Sequence, residues 1–226
     1  MLNEILSRIT KNKQGVEIGG PSTRGETIYK NADSMDNVIF SKTTIWNSNP
    51  TDEYNYYNDK KGKNIINDAV DITHISDNVY DFCFSSLCLE HIANPLKAVE
   101  EWLRIIKTGG YIILILPEKS ECSDHKRDYS DFDTLLSQYQ NKVGEDDLST
   151  LPDILEKHDL EKDTPSCDIE QFTIRCLDNF NNRCLHHYVY NDELLMDICT
   201  YFNCEFIYKE TKGLDRWFIM KKNNNV

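Results

Sequence analysis

The first half of the chain alternates short apolar runs with segments of helical periodicity, and this alternation constrains the fold more than any other feature. Strands are predicted at residues 15–18, 37–41, 65–72, 79–84 and 111–117. The fourth of these strands is apolar on both faces, which is typical of a strand inside a parallel sheet. Strands that alternate with helices predict an α/β fold with a Rossmann-like sheet and helices on both of its faces.

One helix of this pattern has clear start and stop signals. Asn94 can cap its first turn, and Pro95 suits the first helical position. One face carries apolar residues at helical spacing, namely Leu96, Val99, Leu103 and Ile106. Gly109 and Gly110 are expected to end this helix. Two further helices are predicted at residues 2–13 and 50–58.

Residues 118–190 break the alternation, because they are polar, charged and only weakly periodic. After them, Asn191 can cap a last helix, and strands are predicted at residues 205–209 and 216–221. These two strands bring the predicted sheet to seven. The chain is therefore expected to form a single domain, residues 1–226, in which residues 118–190 are a substrate-binding insertion between the fifth strand and the last helix.

Composition excludes several classes of protein. The formal net charge is −13, and no positive stripe is present, so long nucleic acid is a poor ligand. No apolar run approaches the roughly 18 residues of a membrane span, and the first residues do not resemble a signal peptide. None of the eight cysteines forms a C-x-x-C pair, which favours buried free thiols over structural zinc. Free thiols indicate a reducing compartment, so the expected location is the cytoplasm, or the host cytoplasm for a viral protein.

Three segments are expected to meet at the carboxyl ends of the strands, where α/β sheets bind ligands. In the first, Glu17-Ile18-Gly19-Gly20-Pro21-Ser22, the glycines allow a tight turn and a close approach of a ligand to the backbone. In the second, Asp71 can accept a hydrogen bond from an adenine amino group while Ile72 packs on the ring. A plain turn and an exposed loop acid are the alternative interpretations of these two segments.

The third segment, residues 80–117, reads YDFCFSSLCLEHIANPLKAVEEWLRIIKTGGYIILILP. Its strand, L-E-H turn, helix and K-T-G-G stretch, taken in order with EIGGPS and DAVDI, resemble class I S-adenosylmethionine-dependent methyltransferases of the type 11 group. Thr108 stands where the usual residue is proline. The resemblance covers residues 14–120 and implies a sheet whose last strand is antiparallel. It also implies S-adenosylmethionine as methyl donor and S-adenosylhomocysteine as product.

The resemblance implies a set of cofactor-binding residues, which are Glu17, Gly19, Gly20, Pro21, Asp71, Ile72, Ser85, Ser86 and Leu87. The glycines would line the methionine part, Asp71 and Ile72 would hold adenine, and Ser85 to Leu87 would face the sulfonium. Two departures stand out. Lys42 follows the second strand, where relatives often have an acid for the ribose, although Asp52 or Glu53 could substitute. Relatives also often have histidine where Leu87 stands.

The insertion carries a D-H-K-R segment at 124–127 and an H-H-Y segment at 186–188. This arrangement is similar to a methyltransferase subgroup with D-[HR]-x-R and H-x-H segments, which implies O-methylation of a glycan or nucleotide sugar. The expected partner is therefore a small-molecule or glycan acceptor, and the sequence makes no prediction of oligomeric state.

A sugar hydroxyl is a weak acid, so a positioned base assists methyl transfer. His125 is the first candidate, oriented by Asp124, and His187 and His91 are the second candidates. The expected substrate-binding residues are Arg127, His158 and Tyr188. His91 could instead brace the turn, His125 could be solvated, and the neighbouring His186 is expected to be exposed and idle. A divalent metal on Asp124, His125 and His187 is possible but is not favoured, because no tight ligand spacing supports it.

Two other functions remain open at this point. Lys42 and Leu87 are compatible with a non-catalytic binding or scaffold protein on a methyltransferase fold. The core motifs are equally compatible with a methyltransferase for another small molecule, such as a quinone, lipid or amine, because a fold does not determine the acceptor.

Overall fold

A computed structural model of the chain describes residues 1–44, 51–163 and 167–224. Its described residues contain one sheet of eight strands in the order β3-β4-β2-β1-β5-β6-β8-β7. The strands are β1 Gln14–Ile18, β2 Ser34–Ile39, β3 Glu53–Tyr57, β4 Lys60–Ile66, β5 Tyr80–Ser86, β6 Ile106–Pro117, β7 Glu205–Lys212 and β8 Asp215–Lys221. The prediction of seven strands is therefore wrong by one.

The additional strand is β3, which pairs antiparallel with β4 at the edge of the sheet. It occupies part of the segment predicted to be a helix at residues 50–58, of which residue 50 lies outside the described residues. Tyr54 and Tyr56 are buried whereas Glu53 and Asn55 are exposed. This period of two residues is that of a half-buried strand, and the tyrosine burial outweighs the helical interpretation.

β4 also lies about five residues earlier than the predicted strand at 65–72. Asn67 and Asp68 end it, because their side chains accept hydrogen bonds from the backbone amides of Asp68 and Val70 at 2.9 and 3.2 Å. Such turns of Asn and Asp side chains compete with strand pairing. Asp71 and Ile72 consequently follow the strand in a loop.

The central strands are parallel, as predicted. β1 pairs with β2 and β5, β2 pairs with β4, and β5 pairs with β6, all in parallel register. β8 is antiparallel to both of its neighbours, β6 and β7, which confirms an antiparallel strand at the end of the chain. The carboxyl ends of β1, β2, β4 and β5 therefore lie at one edge of the sheet.

Helices cover both faces of the sheet. They are α1 Leu2–Thr10, α2 Glu26–Asn31, α3 Pro95–Ile105, α4 Phe132–Gln140, α5 Leu151–Lys157, α6 Ile169–Leu177, α7 Asn179–Asn182 and α8 Asp192–Tyr201. One apolar cluster joins α1 and α2 to the sheet, and another joins α3 and α8 to its opposite face. None of the helices in the described ranges combines the length and apolar character of a membrane crossing.

Both predicted caps are confirmed. The Asn94 side chain accepts a hydrogen bond from the amide of Lys97 at 3.2 Å, and that of Asn191 accepts one from Leu194 at 2.8 Å. α3 ends at Ile105, before the predicted glycine stop, because β6 already begins at Ile106. All eight cysteines are free thiols.

The segment between β6 and α8 contains α4 to α7. α5 and α6 enclose an apolar cluster of their own, built from Leu151, Ile154, Phe172, Cys176 and Leu185. This segment therefore has a small core beside the sheet, which the weak periodicity of its sequence did not indicate.

Candidate active site

A cavity of about 630 Å³ opens at the carboxyl ends of β1, β2, β4 and β5. Its wall includes Gly19 to Arg24 after β1, Val38 to Phe40 at the end of β2, Asn67 to Ala69 after β4, and Ser86 to Cys88 with His91 and Ile92 after β5. Glu145 and Arg183 from the segment between β6 and α8 complete it. The three segments that the sequence predicts to converge therefore do meet at one cavity.

The turn after β1 requires glycine at two successive positions. Gly19 has a φ of +81°, in the left-handed region, and a Cβ there would lie 3.0 Å from the Cys88 sulfur. A Cβ on Gly20 would lie 2.2 Å from the carboxyl carbon of Glu17. Both positions therefore require glycine, because a side chain at Gly19 would crowd Cys88 and a side chain at Gly20 would collide with Glu17.

Glu17 lies beneath this turn and is fully buried. Its carboxylate accepts hydrogen bonds from the Ser22 amide at 3.1 Å, from the Tyr29 hydroxyl at 2.7 Å and from the Tyr54 hydroxyl. Burial raises the pKa of Glu17 to about 7, because the loss of water outweighs these hydrogen bonds. Glu17 thus supports the turn from below, and Tyr54 on the unpredicted strand β3 contributes to that support.

On the side of β4, the acid on the cavity wall is Asp68. Asp71, the residue predicted for adenine, is exposed and accepts a hydrogen bond from Thr73 at 2.9 Å. Ile72 is fully buried in the core of the sheet. Sequence reasoning missed Asp68 by three positions, because the strand before it ends earlier than predicted.

Arg183 links this side of the cavity to the segment between β6 and α8. Its guanidinium contacts Asp68 at 2.9 Å and Glu145 at 3.2 Å, and it lies 5.3 Å from the ring centre of Phe40. No sequence motif singled out Glu145 or Arg183. Glu145 and Arg183 both form part of the cavity wall, and Arg183 does so beside Phe40, directly after β2.

Relatives often have an acid after β2, where this chain has Lys42. Lys42 does not line the cavity. Lys42 is exposed and pairs with Asp52 at 3.2 Å, and Glu53 pairs with Lys61 at 2.9 Å. Both acids that could substitute at the ribose are thus engaged by surface lysines. Phe40, directly after β2, is the residue that faces the cavity instead.

Of the three residues predicted to face the sulfonium, Ser86 and Leu87 line the cavity, whereas Ser85 is buried within β5. Leu87 has a φ of +49°, which is rare for a residue with a side chain. Its amide donates to the Ile115 carbonyl at 2.8 Å, so pairing at the end of the sheet holds this conformation. Strained backbone of this kind concentrates at functional sites.

The predicted catalytic histidines lie in three different environments. His91 is on the cavity wall. His125 bonds Asp159 at 2.6 Å and is not part of that wall. His187 is buried, and its Nε2 lies 3.2 Å from the Asn179 amide nitrogen. Only His91 among these three is therefore placed at the cavity.

Asp124 is buried and contacts His186 rather than its neighbour in sequence, His125. The distance from Asp124 Oδ2 to His186 Nδ1 is 2.5 Å, and the ring of His186 packs edge-on against that of His91 with centroids 4.5 Å apart. The charge of His186, the hydrogen bonds from His158 and His186, and the charge of Arg127 hold the pKa of Asp124 well below its usual range, although burial opposes them. Asp124 in turn raises the pKa of His186. His186 was expected to be exposed, but the structure makes it the link between Asp124 and the cavity histidine.

The three predicted substrate-binding residues are all engaged inside the protein. Arg127 is buried and contacts Asp124, Asp153 and the backbone carbonyls of residues 186 and 187. His158 stacks on Phe172 with ring centroids 4.4 Å apart. The Tyr188 hydroxyl donates to the Ala93 carbonyl at 2.8 Å. The trio considered for a metal, Asp124, His125 and His187, is not brought together.

Residues 33–114 match the family model described as a methyltransferase domain of type 11. This part of the chain is similar to the methyltransferase domains of that family. The methyl donor of such domains is S-adenosylmethionine, with S-adenosylhomocysteine as the product. The matched range includes the L-E-H turn with His91 and the loop with Asp68, so it covers part of the cavity wall, whereas the glycine turn, Glu145 and Arg183 lie outside it. No curated protein matches the chain.

Several solved structures share the fold of this chain at low sequence identity. An S-adenosylmethionine-dependent methyltransferase from Mesorhizobium loti has a TM-score of 0.56 at 9% identity, over 98% of this chain and 96% of that one. The PH0226 protein from Pyrococcus horikoshii OT3 has a TM-score of 0.55 at 11% identity, over 98% and 88%. An O-methyltransferase family protein from Burkholderia thailandensis has a TM-score of 0.52 at 8% identity, over 100% of this chain and 56% of that one.

Substitution of Gly19 tests the role of the turn after β1. We expect Gly19→Ala to weaken S-adenosylmethionine binding at least about tenfold, because the new Cβ strains the backbone and displaces the Cys88 side chain. Gly109→Ala is the matched control, since Gly109 also has a positive φ of +77° but open space around it. Calorimetric titration of both variants with the cofactor checks this, and equal losses of affinity would contradict it.

The buried carboxyl of Glu17 predicts a pH dependence of stability. Because its pKa is raised to about 7, the folded protein retains a proton that the unfolded chain loses near pH 4.5. The contribution of Glu17 is thus full below pH 4.5 and falls, by up to about 3 kcal/mol, as pH rises to about 7. Glu17→Gln should remove this part of the slope of unfolding free energy between those pH values. Urea titrations across the range check it, and an unchanged slope in the variant would refute the assignment.

Proposed function

We propose that this protein transfers the methyl group of S-adenosylmethionine to a sugar hydroxyl in glycan or nucleotide-sugar metabolism. The observation that carries this proposal is the position of His91, which lines the cavity of a methyltransferase domain beside Ser86 and Leu87. A histidine there can receive the proton that the acceptor hydroxyl loses. Its neighbour His186, held by Asp124, supports it from behind.

The cavity fits S-adenosylmethionine in size and chemistry. Its volume of about 630 Å³ lies within the usual range of small-molecule sites. Ile39, Phe40 and Ala69 offer an apolar surface for adenine, and Asp68 offers a hydrogen-bond acceptor beside it. The glycine turn gives the methionine part close access to the backbone. Arg24 also lines the cavity and supplies a cation for the methionine carboxylate.

When bound, S-adenosylmethionine supplies an electrophilic methyl group, so the residues of the chain need chiefly to align and deprotonate the acceptor. Burial, together with His186 and His187, holds the pKa of His91 well below its ordinary value. His91 is therefore neutral near pH 7 and can accept a proton. The Nδ1 atom of His91 lies 3.2 Å from the Leu185 carbonyl, which fixes the orientation of the ring.

Three observations support a hydroxyl, and specifically a sugar, as the acceptor. A weakly acidic hydroxyl needs a base, and a histidine on the wall meets that need. The segment after β6 retains the D-H-K-R and H-H-Y sequences that resemble a subgroup implied in glycan modification. The Burkholderia protein with the same fold belongs to an O-methyltransferase family.

The proposal is tested by mass spectrometry of acceptor mixtures incubated with isotopically labelled S-adenosylmethionine. We expect label in a nucleotide sugar or oligosaccharide, and none in quinones, lipids or amines. His91→Ala should lower kcat about 100-fold or more because it removes the base, while cofactor affinity changes little.

His125→Ala is the matched control for this experiment, because His125 bonds Asp159 and is absent from the cavity wall. It should retain most of the activity. Labelling of an amine or lipid alone would contradict the sugar acceptor, and a larger loss for His125→Ala than for His91→Ala would contradict the assigned base.

A further inference from the structure

Glu90, His91 and His186 form a compact group of metal-binding side chains beside the cavity. One donor atom from each lies within 4.8 Å of the other two. Glu90 and His91 belong to the turn after β5, whereas His186 arrives from the segment before α8, 95 residues further along the chain. The fold therefore gathers the three side chains from two distant parts of the sequence.

The carboxylate of Glu90 is buried in this group and is not fully hydrogen-bonded. Its side chain is only 1% exposed, and its Oε2 atom has no hydrogen-bond partner among the described residues. A buried carboxylate oxygen without a partner is costly, and such atoms point to a missing partner.

Both histidines are oriented as metal-binding histidines are. His91 Nδ1 lies 3.2 Å from the Leu185 carbonyl oxygen, and His186 Nδ1 lies 2.5 Å from Asp124 Oδ2. Metal-bound histidines characteristically donate one ring N–H to a carbonyl or carboxylate, which directs the lone pair of the other nitrogen to the ion.

The charges around the group also suit a cation. Asp124 and Glu90 are both buried acids, and Arg127 is the buried cation that contacts Asp124, at 3.0 Å. A divalent ion beside Glu90 would compensate the second carboxylate. Zinc accepts two histidines and one glutamate as a catalytic ligand set, with donor bonds of about 2.0–2.2 Å and a further position open. The donor atoms need to approach one another only modestly to share one ion.

We propose that Glu90, His91 and His186 bind a divalent transition metal, with zinc as the ion that this donor set favours. Because His91 lies on the cavity wall, the open coordination position is available to an oxygen of the acceptor. In the metal-bound protein the ion would polarise that hydroxyl and ease the loss of its proton to water, because the ring nitrogen of His91 that otherwise accepts the proton is then a metal ligand. This role in activation depends on the proposed function, whereas the binding of the ion does not.

The experiment titrates the chelator-treated full chain with zinc alone and determines the metal content of the product. We expect one zinc per chain at a site that Glu90→Gln and His186→Ala weaken at least about 100-fold. His125→Ala, which changes a histidine bonded to Asp159, should bind zinc as the parent does. The proposal would be overturned if no site that holds one zinc per chain is found. It would also be overturned if the site survives in both ligand variants, because the free thiols would then hold the ion.

Thermal unfolding keeps the test independent of misfolding in a variant. Glu90→Gln keeps the size and the polar character of the buried side chain, so the metal-free variant should unfold at about the temperature of the metal-free parent. Zinc should stabilise the parent and not this variant. Equal stabilisation of both would refute the site.

Titration of the same metal-free proteins with S-adenosylmethionine separates the two proposals. Loss of zinc binding with retained cofactor binding overturns the metal site alone. Zinc binding without cofactor binding overturns the proposed function and leaves the metal site in place.

Discussion

Parallel pairing of β1 with β2 and β5 is the constraint on which the site depends, because it places three carboxyl ends at one edge of the sheet. The glycine turn, Phe40 and the L-E-H turn all follow from this register. Glu17 then holds the turn from beneath through its contacts with Tyr29 and Tyr54. The edge strand β3, which carries Tyr54, therefore supports the cavity although it does not line it.

The segment between β6 and α8 depends on a second interaction, the buried ion pair of Asp124 and Arg127. A buried pair stabilises a structure only when its remaining hydrogen-bonding groups are satisfied. Arg127 meets that condition through Asp153 and the carbonyls of residues 186 and 187. The pair thus fixes the chain at His186, and His186 in turn packs on His91. Asp124 and Arg127 therefore position His186 and, through it, the part of the cavity wall that carries His91.

Sequence reasoning predicted the part of the site that lies on regular elements. The glycine turn, the Asn94 cap and the convergence of His91 with the segments after β1 and β4 are confirmed, because local turn chemistry and apolar periodicity determine them. Sequence reasoning failed for the elements whose conformation is determined by tertiary packing. The tyrosines of β3 alternate over too few residues to distinguish a strand from a helix turn.

The same limit applies to the choice among neighbouring residues. Asp68 and Asp71 are both acids after β4, and only the end of the strand decides which one reaches the cavity. His186 and His187 are adjacent in an extended segment, where successive side chains point to opposite sides. His187 consequently packs near Asn179, whereas His186 reaches Asp124. Contacts that join residues 60 or more positions apart leave no periodic signal in a single sequence.

The most direct test of this account is calorimetric titration of the full chain with S-adenosylmethionine, repeated for Asp68→Ala and Asp71→Ala. One site per chain is predicted, with an affinity that Asp68→Ala lowers and Asp71→Ala leaves unchanged, because only Asp68 lies on the cavity wall. Absence of binding at millimolar cofactor would contradict the account, as would a loss of affinity confined to Asp71→Ala.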